Sequence, residues 1–216
     1  ESYTKQLWAF EGITSYYDDF SLYRTGLINF EEYLAILAKA ATRVNRGVGE
    51  LKQSVTASSF DAWTKFYQQG PDAVNNIVSY YVKGSLIALW LDLTIRSKSN
   101  GQYSLDNLMR ELWIHFGRTN IGTTEEDFIN IANLLCGEDI SSTFKHYLYS
   151  NERIDLTSDL ASYGVEFQKQ KFKKLNSVET TSAEHYHAYF GAQYKAQSFG
   201  LTITQVLENS PAATAG

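Results

Sequence analysis

Apolar residues recur at helical spacing along most of the chain, and this pattern changes only near residue 164. In residues 1–24 they surround the whole helix circumference, so we predict one largely buried helix there. Asn29 and Glu32 have the spacing of a capping box, which predicts a second helix after Asn29. The most apolar run, at about 76–97, predicts a long buried helix.

Shorter helices are predicted in the rest of the first 163 residues. Each begins at a polar residue that can cap it: Ser58 before a helix with Trp63, Phe66 and Tyr67; Ser104 before 105–116; a Thr123–Glu126 capping box before 127–135; Ser141 before a helix ending at Tyr149; and a last turn or two at 155–163. Gly137 should end the helix over 127–135 at its C′ position. On 105–116 we expect five buried side chains: Leu108, Met109, Leu112, Trp113 and Phe116.

Beyond residue 164 the alternation is looser and more polar. Residues 165–172 predict a strand, and the polar stretch 173–184 predicts a loop. The segment Ser210-Pro211 predicts the start of a short helix, because proline is well tolerated in a first turn. The fold class expected from the pattern is therefore mainly α, followed by a short β segment.

Composition and charge exclude several classes of protein. The net charge of −5 does not indicate the basic surface that nucleic-acid binding requires. Hydrophobic residues make up 44% of the chain, which is ordinary for a soluble globular protein. The longest apolar run, 86–91, is far shorter than the ~20 residues of a membrane span. Cys136 is the only cysteine, so no internal disulfide forms, and the compartment, cytoplasmic or periplasmic, stays open.

Glu11 is the most informative polar residue of the first helix. It lies among aromatic residues, where an unpartnered carboxylate costs several kcal/mol, so it needs a cation, a hydrogen-bond network or a metal. Ser15, one turn later on the same face, is placed to orient it. The alternative is a solvated glutamate at a helix edge, followed by Gly12 for close helix contact.

Tyr80 and Tyr81 open the long apolar helix, within the segment Ser-Tyr-Tyr-Val-Lys-Gly that ends at Gly84. Aromatic packing at a helix start accounts for two adjacent tyrosines without any function. Gly84 is most simply interpreted as the place where another helix approaches closely, because glycine has no Cβ.

Three segments, 7–17, 79–84 and 206–216, resemble the glycyl aminopeptidase family of zinc peptidases, in the family's order. The resemblance implies the helical C-terminal half of a gluzincin (thermolysin-like) catalytic domain. It makes Glu11 a zinc ligand, and it makes Tyr81, with Tyr80 as the fallback, the donor to the oxyanion that forms at the scissile carbonyl. Three protein ligands from His and carboxylate, with one open position, suit catalytic zinc.

The sequence departs from the family in lacking a His-Glu-x-x-His helix. Its four histidines, at positions 115, 146, 185 and 187, have no i, i+4 pair, and none precedes Glu11. We therefore expect a fragment that begins after the histidine helix, with zinc in the intact enzyme and none held by this chain alone. His185 and His187 could face one side of a strand, but we interpret them as structural or surface residues.

The resemblance also implies a domain plan and a function. Residues 1–163 would be the helical part of the catalytic domain, 164–189 a strand and linker, and 190–216 the truncated start of a PDZ-like domain. The intact protein would hydrolyse peptides with N-terminal glycine or another small residue, and the fragment would be inactive. Exposed surface of the truncated domains could form a homo-oligomer. The alternative is a non-enzymatic helical module that binds a peptide or protein.

Overall fold

The computed structural model describes residues 3–169 and 190–216, which fall into two compact units. The first is Glu1–Asp155 and the second is Leu156–Gly216. The fold is mainly helical, as expected, with one short antiparallel sheet in the second unit. In these described ranges no helix combines the length and apolarity needed to cross a membrane.

The first unit contains nine α-helices among its described residues, joined by short 3₁₀ and π turns. The helices are α1 (Leu7–Phe10), α2 (Gly12–Arg24), α3 (Phe30–Asn45), α4 (Val55–Phe60), α5 (Ala73–Asn76), α6 (Tyr80–Lys98), α7 (Leu105–Leu112), α8 (Glu125–Cys136) and α9 (Ser141–Tyr149). A 3₁₀ turn covers Gly49–Leu51, and π turns cover Ala62–Phe66 and Trp113–Gly117. The capping box of Asn29 and Glu32 is confirmed at the start of α3.

Helix α6 is buried along most of its length and contacts α1, α2, α3, α4, α7 and α8. It begins later than the sequence predicted, because the backbone at Val78 bonds to other segments. The Val78 N–H donates to Oε1 of Gln53 at 3.2 Å, and the Ser58 hydroxyl donates to the Val78 carbonyl at 2.5 Å. Ser79 then caps α6 by accepting from the Val82 N–H at 3.3 Å.

Helices α2 and α6 cross at a point where two glycines face each other. A Cβ on Gly84 would lie 2.7 Å from the Trp8 carbonyl oxygen and 2.9 Å from the Gly12 Cα. A Cβ on Gly12 would lie 2.6 Å from the Gly84 Cα. Real Cβ atoms do not approach backbone this closely, so this crossing requires glycine on both helices. The close helix contact expected from Gly84 is confirmed.

Several local predictions are wrong. The single helix expected over 1–24 begins at Leu7 and is divided at Glu11 into α1 and α2, although the Glu11 N–H and carbonyl still bond to Leu7 and Ser15. The helix expected after Ser58, with Trp63 and Phe66, is a π turn at Ala62–Phe66 that no described side chain caps. Ser54 caps the preceding α4, and the Ser58 hydroxyl bonds to the backbone of Val78.

The predictions for α7 and α8 also need correction. Leu108 and Leu112 are buried, but Met109 and Trp113 are 37% and 61% exposed and Phe116 is half-buried. Met109 and Trp113 each follow a buried leucine by one residue, about 100° around the helix, and so lie off the buried face. The capping box of α8 is formed by Thr124 and Asp127, one residue later than predicted.

The second unit contains α10 (Thr157–Ala161), a hairpin of β1 (Ala192–Gln197) and β2 (Gly200–Val206), and α11 (Pro211–Ala215). Ser210 accepts from the Ala213 N–H at 3.2 Å, so the predicted helix start at Ser-Pro is confirmed. Residues 165–169 form no strand, contrary to the prediction. The rest of that expected strand and the pair His185 and His187 lie outside the described residues.

Candidate functional site

Glu11 lies at the junction of α1 and α2 and is half-buried. Within residues 3–169 and 190–216, its carboxylate accepts no hydrogen bond and joins no ion pair. The expected help from Ser15 is wrong: Ser15 contacts Glu11 through its backbone N–H, which donates to the Glu11 carbonyl at 2.9 Å. This bond belongs to the regular hydrogen-bonding pattern of the helix. The Glu11 carboxylate itself has no protein partner among the described residues.

Tyr81 is brought next to Glu11 by the glycine crossing. Glu11 directly precedes Gly12, and Tyr81 lies one helical turn before Gly84, so both residues lie beside the contact point. The Glu11 carboxylate is close enough for its negative charge to contribute to a raised pKa of Tyr81. Two residues far apart in the sequence thus lie near enough for their charges to interact.

Tyr67, Tyr80 and Tyr81 form a connected group that we call the tyrosine cluster. The Tyr80 hydroxyl donates to the Tyr67 oxygen at 3.3 Å, and the Tyr67 and Tyr81 oxygens are also 3.3 Å apart. The hydrogen bond with Tyr67, burial and the Glu11 charge together raise the pKa of Tyr81 to about 12. Burial and the bond to Tyr67 raise the pKa of Tyr80 as well. Tyr81 is therefore protonated at neutral pH and can act as a donor.

Exposure separates the two candidate tyrosines of α6. Tyr80 is only 1% exposed and its ring lies 4.8 Å from the ring of Phe66. Tyr81 is half-buried, so more of its side chain is open to solvent. A molecule from solvent can therefore reach Tyr81 more easily than Tyr80.

The π turn at Ala62–Phe66 carries the aromatic residues that surround the cluster. Tyr67 follows this turn, and its N–H donates to the Ala62 carbonyl at 2.9 Å, five residues back. Its ring stacks on Trp63 at 5.2 Å and meets Phe66 edge-on at 5.6 Å. Apolar spacing predicted a helix here but no role for Tyr67, because a π turn cannot be distinguished from an α-helix by spacing alone.

Lys83 has a structural role on another face of α6. It lies two residues after Tyr81, about 200° around the helix, and it is fully buried. Its Nζ donates to the Glu152 carbonyl at 2.7 Å and lies 3.7 Å from Oε2 of Glu50. Burial lowers the pKa of Lys83, and the charge of Glu50 opposes that effect.

Comparison with known proteins identifies the family of this chain. Residues 1–87 match the sequence model of the M61 glycyl aminopeptidase family. This chain belongs to the glycyl aminopeptidase family. The matched residues include Glu11, the tyrosine cluster and both crossing glycines, so the whole candidate site lies inside the family match.

A solved structure of a relative agrees with this family assignment. The glycyl aminopeptidase chain is 47% identical, over its full length, to the aminopeptidase N family protein from Idiomarina loihiensis, with a TM-score of 0.90. The match covers 37% of that protein's chain, so this chain spans well under half of it. No curated protein gives a significant match.

The described residues contain no complete set of metal ligands. No group of three or more His, Cys, Asp or Glu side chains close enough to hold a metal ion occurs within 3–169 and 190–216. His115 lies by Glu111 at 3.3 Å and His146 by Glu152 at 3.4 Å, and both histidines are exposed. Glu11 fits a zinc ion as one carboxylate ligand, and the other ligands would have to come from elsewhere.

Proposed function

We propose that this chain supplies part of the active site of a zinc-dependent aminopeptidase, in which Glu11 is a metal ligand and Tyr81 stabilises the oxyanion. The observation that carries the proposal is the arrangement at the glycine crossing. A half-buried carboxylate without a protein partner among the described residues lies near a phenol that is protonated at neutral pH. Membership of a family of aminopeptidases supports the reaction class.

Glu11 suits the role of ligand because no described residue compensates its charge. It is only half-buried, so its oxygens remain accessible to solvent and to a bound divalent cation. Zinc, when bound, supplies Lewis-acid polarisation of the scissile carbonyl. Glu11 holds its position because its backbone N–H and carbonyl remain in the helical ladder, bonded to Leu7 and Ser15.

Tyr81 suits the role of oxyanion donor for three reasons. Its hydroxyl is protonated at neutral pH, it is reachable from solvent, and the cluster fixes its ring against Phe66 at 5.8 Å. A preorganised donor aimed at developing negative charge contributes about 3 kcal/mol of transition-state stabilisation in comparable sites. Tyr81 would donate a hydrogen bond to the oxyanion without transferring its proton.

The substrate class follows the family. We propose a peptide with N-terminal glycine or another small residue, on the strength of the family description. The chain alone should hydrolyse no peptide and hold no zinc tightly, because one carboxylate is too few ligands for a catalytic zinc site. The Ser210-capped helix after the β1–β2 hairpin supports a further proposal, that residues 190–216 open a PDZ-like domain.

Two substitutions in the full-length protein test this function. Glu11→Gln should reduce bound zinc from about one per chain to well below that, because it removes an anionic ligand. Tyr81→Phe should leave zinc content unchanged and lower kcat for a glycyl peptide about 100-fold. Full zinc in Glu11→Gln, or unchanged kcat in Tyr81→Phe, would contradict the assigned roles. Absence of zinc and of peptidase activity from the unaltered protein would favour the non-enzymatic binding module.

A further inference from the structure

Two stacked aromatic rings lie exposed at the edge of the candidate site. Trp63 and Tyr67 stack with their ring centres 5.2 Å apart, and they are 38% and 54% exposed. We call this pair the aromatic platform. Neither ring belongs to the core of the first unit, where Trp8 and Phe144 are completely buried. Contiguous exposed apolar surface of this kind is typical of surfaces that bind a ligand.

The aromatic platform is continuous with the tyrosine cluster, because Tyr67 belongs to both. The Tyr67 and Tyr81 oxygens are 3.3 Å apart, whichever of the two donates the proton. This distance is shorter than the ~3.8 Å between consecutive Cα atoms of a peptide. When the Tyr81 hydroxyl meets the scissile carbonyl, as proposed above, the aromatic platform therefore lies next to the residues that flank the cleaved bond.

We propose that the aromatic platform is a specificity subsite, which binds an aromatic side chain on the second residue of the substrate. This inference rests on the proposed function and adds the residue after the cleaved bond to its substrate class. An aminopeptidase cleaves the bond between the first two residues. Glycine or another small first residue has no side chain that can stack on two rings, so the side chain across the cleaved bond is the one the platform can bind.

The chemistry of the platform favours an aromatic occupant. Offset and edge-to-face arrangements of aromatic rings are favourable beyond the burial of their area. The charged residues of the same turn do not select a charged side chain, because Lys65 and Asp61 pair with each other at 2.7 Å. The platform therefore offers ring faces and no uncompensated charge from these two residues.

The platform is supported from its buried side. Phe66 meets the Tyr67 ring edge-on at 5.6 Å, and Phe66 itself lies 4.8 Å from the ring of Tyr80, which is 1% exposed. The Tyr67 N–H donates to the Ala62 carbonyl at 2.9 Å, which holds the π turn that presents both rings. Because the rings are held in place before binding, little conformational entropy is lost when a side chain stacks on them.

The unaltered full-length protein should show this preference in its choice of substrate. We expect kcat/KM for glycyl-phenylalanine amide to exceed that for glycyl-glycine amide about tenfold. The difference should lie mainly in KM, because the stacking contact is the same in the bound substrate and in the transition state. Glycyl-leucine amide should fall between the two, since it supplies apolar area without a ring.

Trp63→Ala removes one ring of the platform and keeps all three tyrosines of the cluster. The ratio of kcat/KM for glycyl-phenylalanine amide over glycyl-glycine amide should fall about fivefold. This ratio is independent of the amount of folded protein, and it cancels any displacement of Tyr67 that affects both substrates equally.

Trp113→Ala is the matched control. Trp113 is 61% exposed and also lies in a π turn, Trp113–Gly117. Among the described residues, no ring contact joins it to the tyrosine cluster. The ratio for the two amides should stay at the value of the unaltered protein.

Several results would overturn the inference. Equal kcat/KM for the three amides in the unaltered protein would reject the subsite and keep the proposed function, as long as Tyr81→Phe still lowers kcat. An unchanged ratio in Trp63→Ala, or an equal fall in Trp113→Ala, would also reject the subsite. If the unaltered protein hydrolyses none of the amides, the proposed function fails and this inference fails with it.

Discussion

Two glutamates lie near α6 in very different surroundings. Glu50 is 1% exposed, its Oε1 accepts from Arg153 at 2.7 Å, and its Oε2 lies 3.7 Å from Lys83. Glu11 is half-buried, and among the described residues its carboxylate has no hydrogen-bond or ion-pair partner. The more deeply buried carboxylate is thus the one with two cations beside it.

The Glu50 site is a structural clamp. Arg153 also donates to the carbonyl and the side-chain oxygen of Asn45, at 3.1 and 2.6 Å, and to the Gly47 carbonyl at 3.3 Å. These bonds hold the C-terminal end of α3 and the loop after it against the segment that follows α9. Charges this deeply buried are tolerated only with paired partners, so the two cations beside Glu50 serve the fold and leave no need for an external ion.

The two surroundings agree with different roles under the proposed function. The charge of Glu50 is compensated within the fold, whereas the Glu11 carboxylate has no described partner and would be open to an external cation. Helix α6 carries one neighbour of each glutamate, since Tyr81 lies near Glu11 and Lys83 lies beside Glu50. Glu→Gln at each position changes charge and almost no volume, so the contrast can be tested directly.

Glu50→Gln should have the largest effect. Removing its charge leaves Lys83 and Arg153 as two cations without an anion between them, and breaking a buried pair costs about 3–5 kcal/mol. Urea unfolding of this chain should show that loss of unfolding free energy. A loss below about 1 kcal/mol would mean that the clamp is not a compensated buried pair, because exposed pairs contribute only that much.

Gly84→Ala should have the next largest effect, about 1–3 kcal/mol of unfolding free energy. The added Cβ would meet the Trp8 carbonyl oxygen at 2.7 Å and the Gly12 Cα at 2.9 Å, so α2 and α6 must move apart. Alanine's higher helix propensity, about 1 kcal/mol, offsets part of this cost.

Gly122→Ala is the control for that variant, because a Cβ there has no neighbour within 4 Å among the described residues. Its unfolding free energy should stay near that of the unaltered chain. In the full-length protein Gly84→Ala should also lower kcat, since it separates Tyr81 from Glu11. Unchanged stability and unchanged kcat would show that the crossing tolerates a wider spacing.

Local features of this fold could be predicted from sequence because they depend on residues near in the chain. The Asn29–Glu32 capping box, Gly137 in the left-handed conformation at φ 69° and the Ser210 cap all follow from short-range hydrogen bonding. The role of Gly84 could also be predicted, because glycine inside an apolar helix is unfavourable unless a close packing contact requires it.

Long-range partners could not be predicted in this way. Arg153 and Glu50 are 103 positions apart, and no spacing rule connects them. Sequence analysis assigned no role to Asp92, which lies within an apolar helix. Asp92 is buried and accepts hydrogen bonds from the Tyr16 hydroxyl at 2.8 Å and from the Leu105 N–H at 2.7 Å. Tyr67 was missed for the same reason: its partners, Tyr80 and Tyr81, lie on another helix.

Glu11→Gln should have the smallest effect on stability. Because no described residue donates to this carboxylate or pairs with it, loss of its charge removes no bond, and the change in unfolding free energy of the chain should stay within about 0.5 kcal/mol. The same variant should lose zinc in the full-length protein, which would separate function from stability at one residue. A stability loss as large as that of Glu50→Gln would show that Glu11 is a structural carboxylate, and its assignment as a metal ligand would lose its physical basis.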